Sequence, residues 1–209
     1  MRRKLLATGA AALAMGALMF AQGGRPASPA GTAATEIGGK YDPNAAEPTY
    51  KGGKWIEITY GRPIKRGRDL FGGSGDKYGK VVNPDAPVWR AGANFTTQLK
   101  TDVPLVINGK TLAPGAYAML IDLKPNNWTL IVSSQKVQTR YDPKNTTELW
   151  GAYNYTLDKD VVRAPMKLET LPHTIEQLTW EFVDVTDAGG SLAIMWDKTM
   201  ASVPFKIGT

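Results

Sequence analysis

The chain contains no cysteine and a single histidine, His173, among 209 residues. Without cysteine there are no disulfides, no thiol nucleophile and no lipid-modified N-terminal cysteine. One histidine and no thiol leave a zinc site dependent on carboxylates, an uncommon ligand set. A Ser-His-Asp triad would have to use His173, and no Gly-x-Ser-x-Gly elbow is present. His173 sits in Leu171-Pro172-His173-Thr174, which reads as a surface turn between two strands. There is no Asp-x-Asp-x-Asp calcium loop, no Walker loop and no dinucleotide fingerprint. No metal, no cofactor and no catalytic residue is therefore assigned. Amphipathic helical periodicity is missing after the first residues, apart from room for one short helical turn near 142–150, and there is no internal repeat.

At the start of the chain, Arg2, Arg3 and Lys4 precede an uncharged run from Leu5 to Ala21 rich in Ala, Leu and Met. A charged n-region followed by an apolar h-region is a secretory signal, with cleavage expected after Ala21 and a periplasmic or secreted destination. The alternative is an uncleaved membrane anchor, the only expected membrane contact. Its 17 residues would rise about 25 Å as a helix, short of the ~30 Å hydrocarbon core. Removing residues 1–21 takes away Arg2, Arg3 and Lys4 and lowers the net charge from +6 to +3. So mild an excess does not indicate nucleic-acid binding.

Residues 22–53 are mostly Gly, Ala, Pro, Thr and Ser with almost no large apolar side chain. Such a segment buries too little surface to offset its ordering entropy, so a disordered linker is expected. Residues 54–209 then form one domain. Alternation of period two dominates there: Ile56, Ile58 and Tyr60; Val103, Leu105 and Ile107; Tyr117, Met119 and Ile121; Trp128, Leu130 and Val132. Val162, Ala164, Met166 and Leu168 read as one face of a long strand. Leu178, Trp180 and Phe182, then Leu192, Ile194 and Trp196, then Val203, Phe205 and Ile207 mark three more. Turn dipeptides such as Asn108-Gly109 and Pro114-Gly115 separate them. The expected fold is all-β: an antiparallel β-sandwich, jelly-roll-like or barrel-like, of about 8–10 strands.

Six Trp and eight Tyr are present. Trp128, Trp180 and Trp196 fall on alternating apolar faces and are assigned to the core, Trp55 to the surface. Trp89 and Trp150 lie outside clean strand patterns and are candidates for lining a cleft. The segment from Arg62 to Arg68 carries Arg62, Lys65, Arg66 and Arg68, broken by Pro63 and Gly67. A loop presenting several guanidinium groups can grip carboxylate or phosphate through paired hydrogen bonds. The competing reading is that each cation serves a local acid or loop carbonyl.

These blocks together resemble the bacterial family known as domain of unknown function 2911. They are Tyr60-Gly61-Arg62-Pro63, Gly67-Arg68-Asp69-Leu70-Phe71-Gly72, Tyr78-Gly79 and Trp89-Arg90-Ala91-Gly92-Ala93-Asn94. Asn108-Gly109-Lys110, Leu112–Tyr117, Trp150-Gly151-Ala152-Tyr153 and Asp160–Arg163 follow. The resemblance spans about Trp55 to Phe205 and implies an exported, mostly β domain without an established activity. Some relatives carry amidotransferase-like names, a chemistry that normally uses the cysteine this chain lacks. The polar motif positions Arg62, Lys65, Arg68, Arg90, Asn94 and Arg163 are expected to converge as a ligand cradle walled by Trp89, Trp150 and Tyr155. The reading is a binding or interaction module for a small anionic or sugar-like ligand. The alternatives are a carboxylate-based hydrolase acting on envelope or extracellular glycans and a structural cell-envelope protein. Oligomeric state is left open.

Overall fold

The computed structural model describes residues 26–208, so the expected signal segment 1–21 lies outside the described residues. Two antiparallel sheets carry the fold. The first has six strands in the order β1-β4-β5-β8-β9-β10, formed by Ala30–Ile37, Lys54–Gly61, Thr97–Thr101, Gly115–Asp122, Thr129–Ser133 and Asp160–Pro165. The second has the order β11-β12-β6-β7, from Lys167–Thr186, Gly189–Ile207, Leu105–Ile107 and Lys110–Leu112. A small hairpin, β2 (Lys40–Asp42) and β3 (Thr49–Lys51), stands beside them. The all-β sandwich reading holds, and among the described residues there is no α-helix and none long and apolar enough to cross a membrane.

Alternation explains the layering. Ile56 and Ile58 of β4, Leu99 of β5, Met119 and Ile121 of β8 and Leu130 and Val132 of β9 point inward. They meet Trp180 of β11, Leu192, Val203 and Phe205 of β12, and Leu105 and Ile107 of β6 in one core. The opposite faces of β8 and β9 are also covered. Ala118, Leu120 and Ile131 pack under Val88, Leu149 and Ala152 in a second cluster. Residues 134–156 thus form an outer layer on the six-stranded sheet, pinned by two buried glutamines. Gln135 Nε2 donates to the Thr147 and Asn154 carbonyls, and Gln138 Nε2 to those of Asn145 and Glu148. Residues 142–150 are turns and bridges rather than a helical turn.

Three expectations are corrected. The segment 22–53 is not a linker over its described part: β1 pairs with β4 from Ala30↔Gly61 to Ile37↔Lys54, and the domain begins before residue 54. At Gly31 smallness is a packing requirement. Arg62 crosses over Gly31 so closely that a Cβ there would collide with its Cδ, while Ala33 and Ile37 reach the core. Second, the alternating run from Val162 to Leu168 is two strands in different sheets. The chain changes sheet at Met166, whose N–H donates to the Trp128 carbonyl at 2.9 Å. Third, the turn expected at 171–174 is continuous strand. β11 is an edge strand that tolerates Pro172. Its pairing slips between Thr170 and Ile175, leaving His173 exposed.

Candidate functional site

The segment between β4 and β5 meets the middle of the β11–β12 hairpin, where Pro63, Ile64 and Lys65 lie against Glu176, Gln177 and Leu178. Trp89 fixes it: its N–H and carbonyl exchange 2.8 Å hydrogen bonds with Ile121 of β8. The Trp89 ring stacks on Trp196 with centroids 6.3 Å apart and planes 13° apart, and Phe71 and Trp128 pack edge-on against it. Beyond Trp89 the chain reverses through two non-glycine residues in the left-handed region, Ala91 at φ 51° and Asn94 at φ 65°. Buried Trp180 Nε1 holds that reversal by donating to the Ala91 carbonyl at 2.9 Å. Together these shape an open cavity of about 530 Å³.

Arg66, Arg68 and Arg90 line the cavity with Trp89, Trp196 and Asn94, and no Asp or Glu is in its lining. Among the described residues, none of the three guanidinium groups lies within ion-pairing distance of a carboxylate. Carbonyls and rings hold them instead. Arg68 Nε and Nη2 donate to the Lys65 and Ile64 carbonyls at 2.9 and 2.6 Å, and its guanidinium lies 5.6 Å from the Trp196 ring centroid. Arg90 Nη1 donates to the Asn94 carbonyl at 2.7 Å, and its guanidinium lies 5.8 Å from the centroid of Tyr153. Arg66, at φ 51°, is held by its backbone N–H, which donates to Glu176 Oε1 at 2.8 Å. For Arg68 and Arg90 these carbonyl and ring contacts orient the guanidinium without pairing it with an acid. Trp89 keeps a buried Nε1 with no acceptor among the described residues, an arrangement that costs about 1–3 kcal/mol.

The expected cradle is therefore brought together in part. Arg68, Trp89, Arg90 and Asn94 line the cavity. Arg62 is instead a staple across the sandwich: Nε donates to the Leu178 carbonyl and Nη2 to Thr179 Oγ1, both at 3.2 Å. Lys65 pairs with Asp197 at 3.4 Å and does not line the cavity. Tyr155 and Arg163 belong to a separate cluster at the β10 edge. Tyr155 donates to Asp160 Oδ2 at 2.7 Å, and Arg163 bridges Asp160 and Asp122 at 2.9 and 3.0 Å. Burial and then the Asp160 hydrogen bond push the Tyr155 hydroxyl well above the usual tyrosine range. Burial is the largest single influence on Arg163 and works against its charge, but the Asp160 hydrogen bond together with the charges of Tyr155, Asp160 and Asp122 outweighs it and raises its pKa. Trp150 lies in a neighbouring groove with Tyr141 and Tyr153.

Sequence reasoning assigned Trp196 to the core alone, whereas it is buried and also forms cavity wall. Its place next to Asp197, in the left-handed region at φ 55°, has no readable signal in the alternation. Arg66 was visible in the cationic run, but its presentation depends on Glu176, 110 residues away. Among the described residues no group of His, Asp or Glu gathers as a metal site. No curated protein and no solved structure matches this chain. The family model described as protein of unknown function (DUF2911) matches residues 42–205, most of the chain, and the chain belongs to that family.

Proposed function

We propose that the chain is an exported binding module whose arginine cavity takes a small anionic ligand. One observation carries this reading: three guanidinium groups surround about 530 Å³ of space whose lining holds no carboxylate. Guanidinium forks match carboxylate and phosphate oxygens in pairs, and Val81 and Val82 at the rim add an apolar side for the rest of the ligand. A glycan hydrolase would need a carboxylate pair flanking the bond to be cut, and this cavity supplies none. Export rests on the charged and apolar pattern of residues 1–21.

The test is a thermal-shift and calorimetric titration of the protein with inorganic phosphate, acetate and glucose. An anion at 100 times its Kd stabilises the native state by about 2.7 kcal/mol, or roughly 5–10 °C for a domain of this size. Arg90→Gln removes one charge-assisted interaction and lowers phosphate affinity about 10- to 100-fold. If neither phosphate nor acetate moves the melting temperature, the cavity is not an anion site.

A further inference from the structure

A second concavity lies beside the arginine cavity, linked to it through Arg90, whose guanidinium stands 5.8 Å from the Tyr153 ring centroid. A groove of about 210 Å³ is lined by Tyr141, Trp150 and Tyr153 together with Asp142, Asn145 and Asn154. Tyr141 and Trp150 stand with ring centroids 5.8 Å apart at 42°. Tyr141 and Tyr153 are 55% and 45% exposed, which leaves apolar ring surface in water beside polar groups. Asn154 uses its amide nitrogen on the Asn145 and Glu148 carbonyls, so the oxygen of its side chain remains as an acceptor. An aromatic platform rimmed by acceptors suits a ring that is apolar on its faces and hydroxylated at its edge.

Arg90 joins the two concavities. It lines the cavity, and its guanidinium lies over Tyr153 of the groove. The chain beneath it is fitted to that position. Gly151, at φ +63°, lies so close that a Cβ would stand 2.6 Å from Arg90 Nη1. Buried Thr96 Oγ1 anchors the Gly151 carbonyl at 2.9 Å. Asp142 gives the groove a negative charge, while the cavity lining is wholly cationic among its charged groups. A ligand carrying one acidic end is therefore oriented, with its anion toward Arg68 and Arg90 and its neutral part toward Trp150.

We infer that the ligand class is an acidic saccharide, a sugar bearing a carboxylate or phosphate. The anionic group enters the arginine cavity and a pyranose ring stacks in the Tyr141–Trp150–Tyr153 groove. The inference rests on the anion-binding reading above and narrows it. The experiment is calorimetry with four probes: inorganic phosphate, glucose 6-phosphate, glucuronate and glucose. At least one sugar acid binds about tenfold or more tighter than phosphate, and glucose binds weakly; whether the phosphate or the carboxylate sugar wins identifies the acid group. Trp150→Ala abolishes the advantage of the sugar acid and leaves phosphate affinity unchanged. Tyr141→Ala, at an exposed ring that cannot disturb the core, reduces the same advantage and keeps the test open if Trp150→Ala fails to fold. If phosphate binds but neither sugar acid binds tighter, or if both variants keep the advantage, the saccharide inference is overturned while the anion site stands. If glucose binds as tightly as its acids and phosphate does not bind, the anion site itself is overturned.

Discussion

Gly61→Ala tests the close approach that shapes the cavity. Gly61 ends β4, and its backbone lies outside the left-handed region, so alanine meets no conformational penalty there. The difficulty is space. A Cβ at position 61 would come 2.0 Å from the Ala93 carbonyl oxygen and 2.8 Å from its carbon. Carbon–oxygen contacts settle near 3.3 Å, so Ala93 would have to retreat by roughly 1.3 Å. It has little freedom to do so. The Ala91 carbonyl accepts from Trp180 Nε1 at 2.9 Å and Thr97 Oγ1 at 3.3 Å, and Gly92 is wedged between Thr97 Oγ1 and the Gly61 carbonyl. Overpacking of about 1–3 kcal/mol plus one weakened buried hydrogen bond of about 1 kcal/mol gives a loss of roughly 2–4 kcal/mol. That lowers the melting temperature by about 5–15 °C. Displacing the 90–94 segment also misplaces Arg90, so phosphate affinity falls about tenfold. Gly109→Ala is the control. Its φ is +72° with open space around the new Cβ, so it costs about 1–2 kcal/mol of backbone strain and leaves phosphate binding intact. Circular-dichroism melts and calorimetry read both effects. A Gly61→Ala protein that melts and binds like the wild type would show that the packing at Ala93 does not control the site.

Three further outcomes follow from the same structure. A chain beginning at Gly39 loses β1, uncovers the edge of β4 and the inner faces of Ile56 and Ile58, and is expected to aggregate or melt without cooperativity; a soluble fragment with unchanged melting temperature would return that segment to the status of linker. Leu99→Ala empties a fully buried position in the core and costs about 2–5 kcal/mol by chemical denaturation, and a loss below 1 kcal/mol would contradict the packing at that position. Tyr155 has its pKa raised above the ordinary 10.0, so its native state retains a proton that the unfolded chain gives up. That stability is complete below pH 10 and is lost as pH climbs toward the raised value. Tyr155→Phe lowers the melting temperature near neutrality and flattens its alkaline decline, whereas equal slopes for the two proteins would refute the assignment.

Alternation carried most of the architecture, because half-buried strands repeat every two residues whatever their partners. It did not carry the sheet change at Met166, since a strand crossing between sheets can keep the same inward period. Nor did it expose β1. There the inward residues are Ala33 and Ile37, and the requirement for smallness at Gly31 comes from Arg62, 31 positions away. A composition poor in large side chains was read as inability to fold, yet the segment pairs with β4 along its length and at Gly31 its smallness records a crowded neighbour. β1 also precedes the family match, which starts at residue 42. The site was legible in its chemistry and not in its sorting. A run containing Arg62, Lys65, Arg66 and Arg68 announces cations, but only the fold decides which of them spend their charge internally.

That sorting follows a physical rule. Lys65 and Arg163 each meet acids, Asp197 for the first and Asp122 with Asp160 for the second, and their charge is largely cancelled at short range. Arg62 gives its donors to β11. Arg68 and Arg90 meet carbonyl oxygens and aromatic faces, which orient a guanidinium through partial charges and leave its net charge uncancelled. Those two, with Arg66, border the same space as Trp89 and Trp196. Arg66 and Arg68 are exposed and Arg90 is half-buried, so water screens their mutual repulsion. An anion entering between them, as proposed, would meet three guanidinium groups that no carboxylate of the lining has already paired.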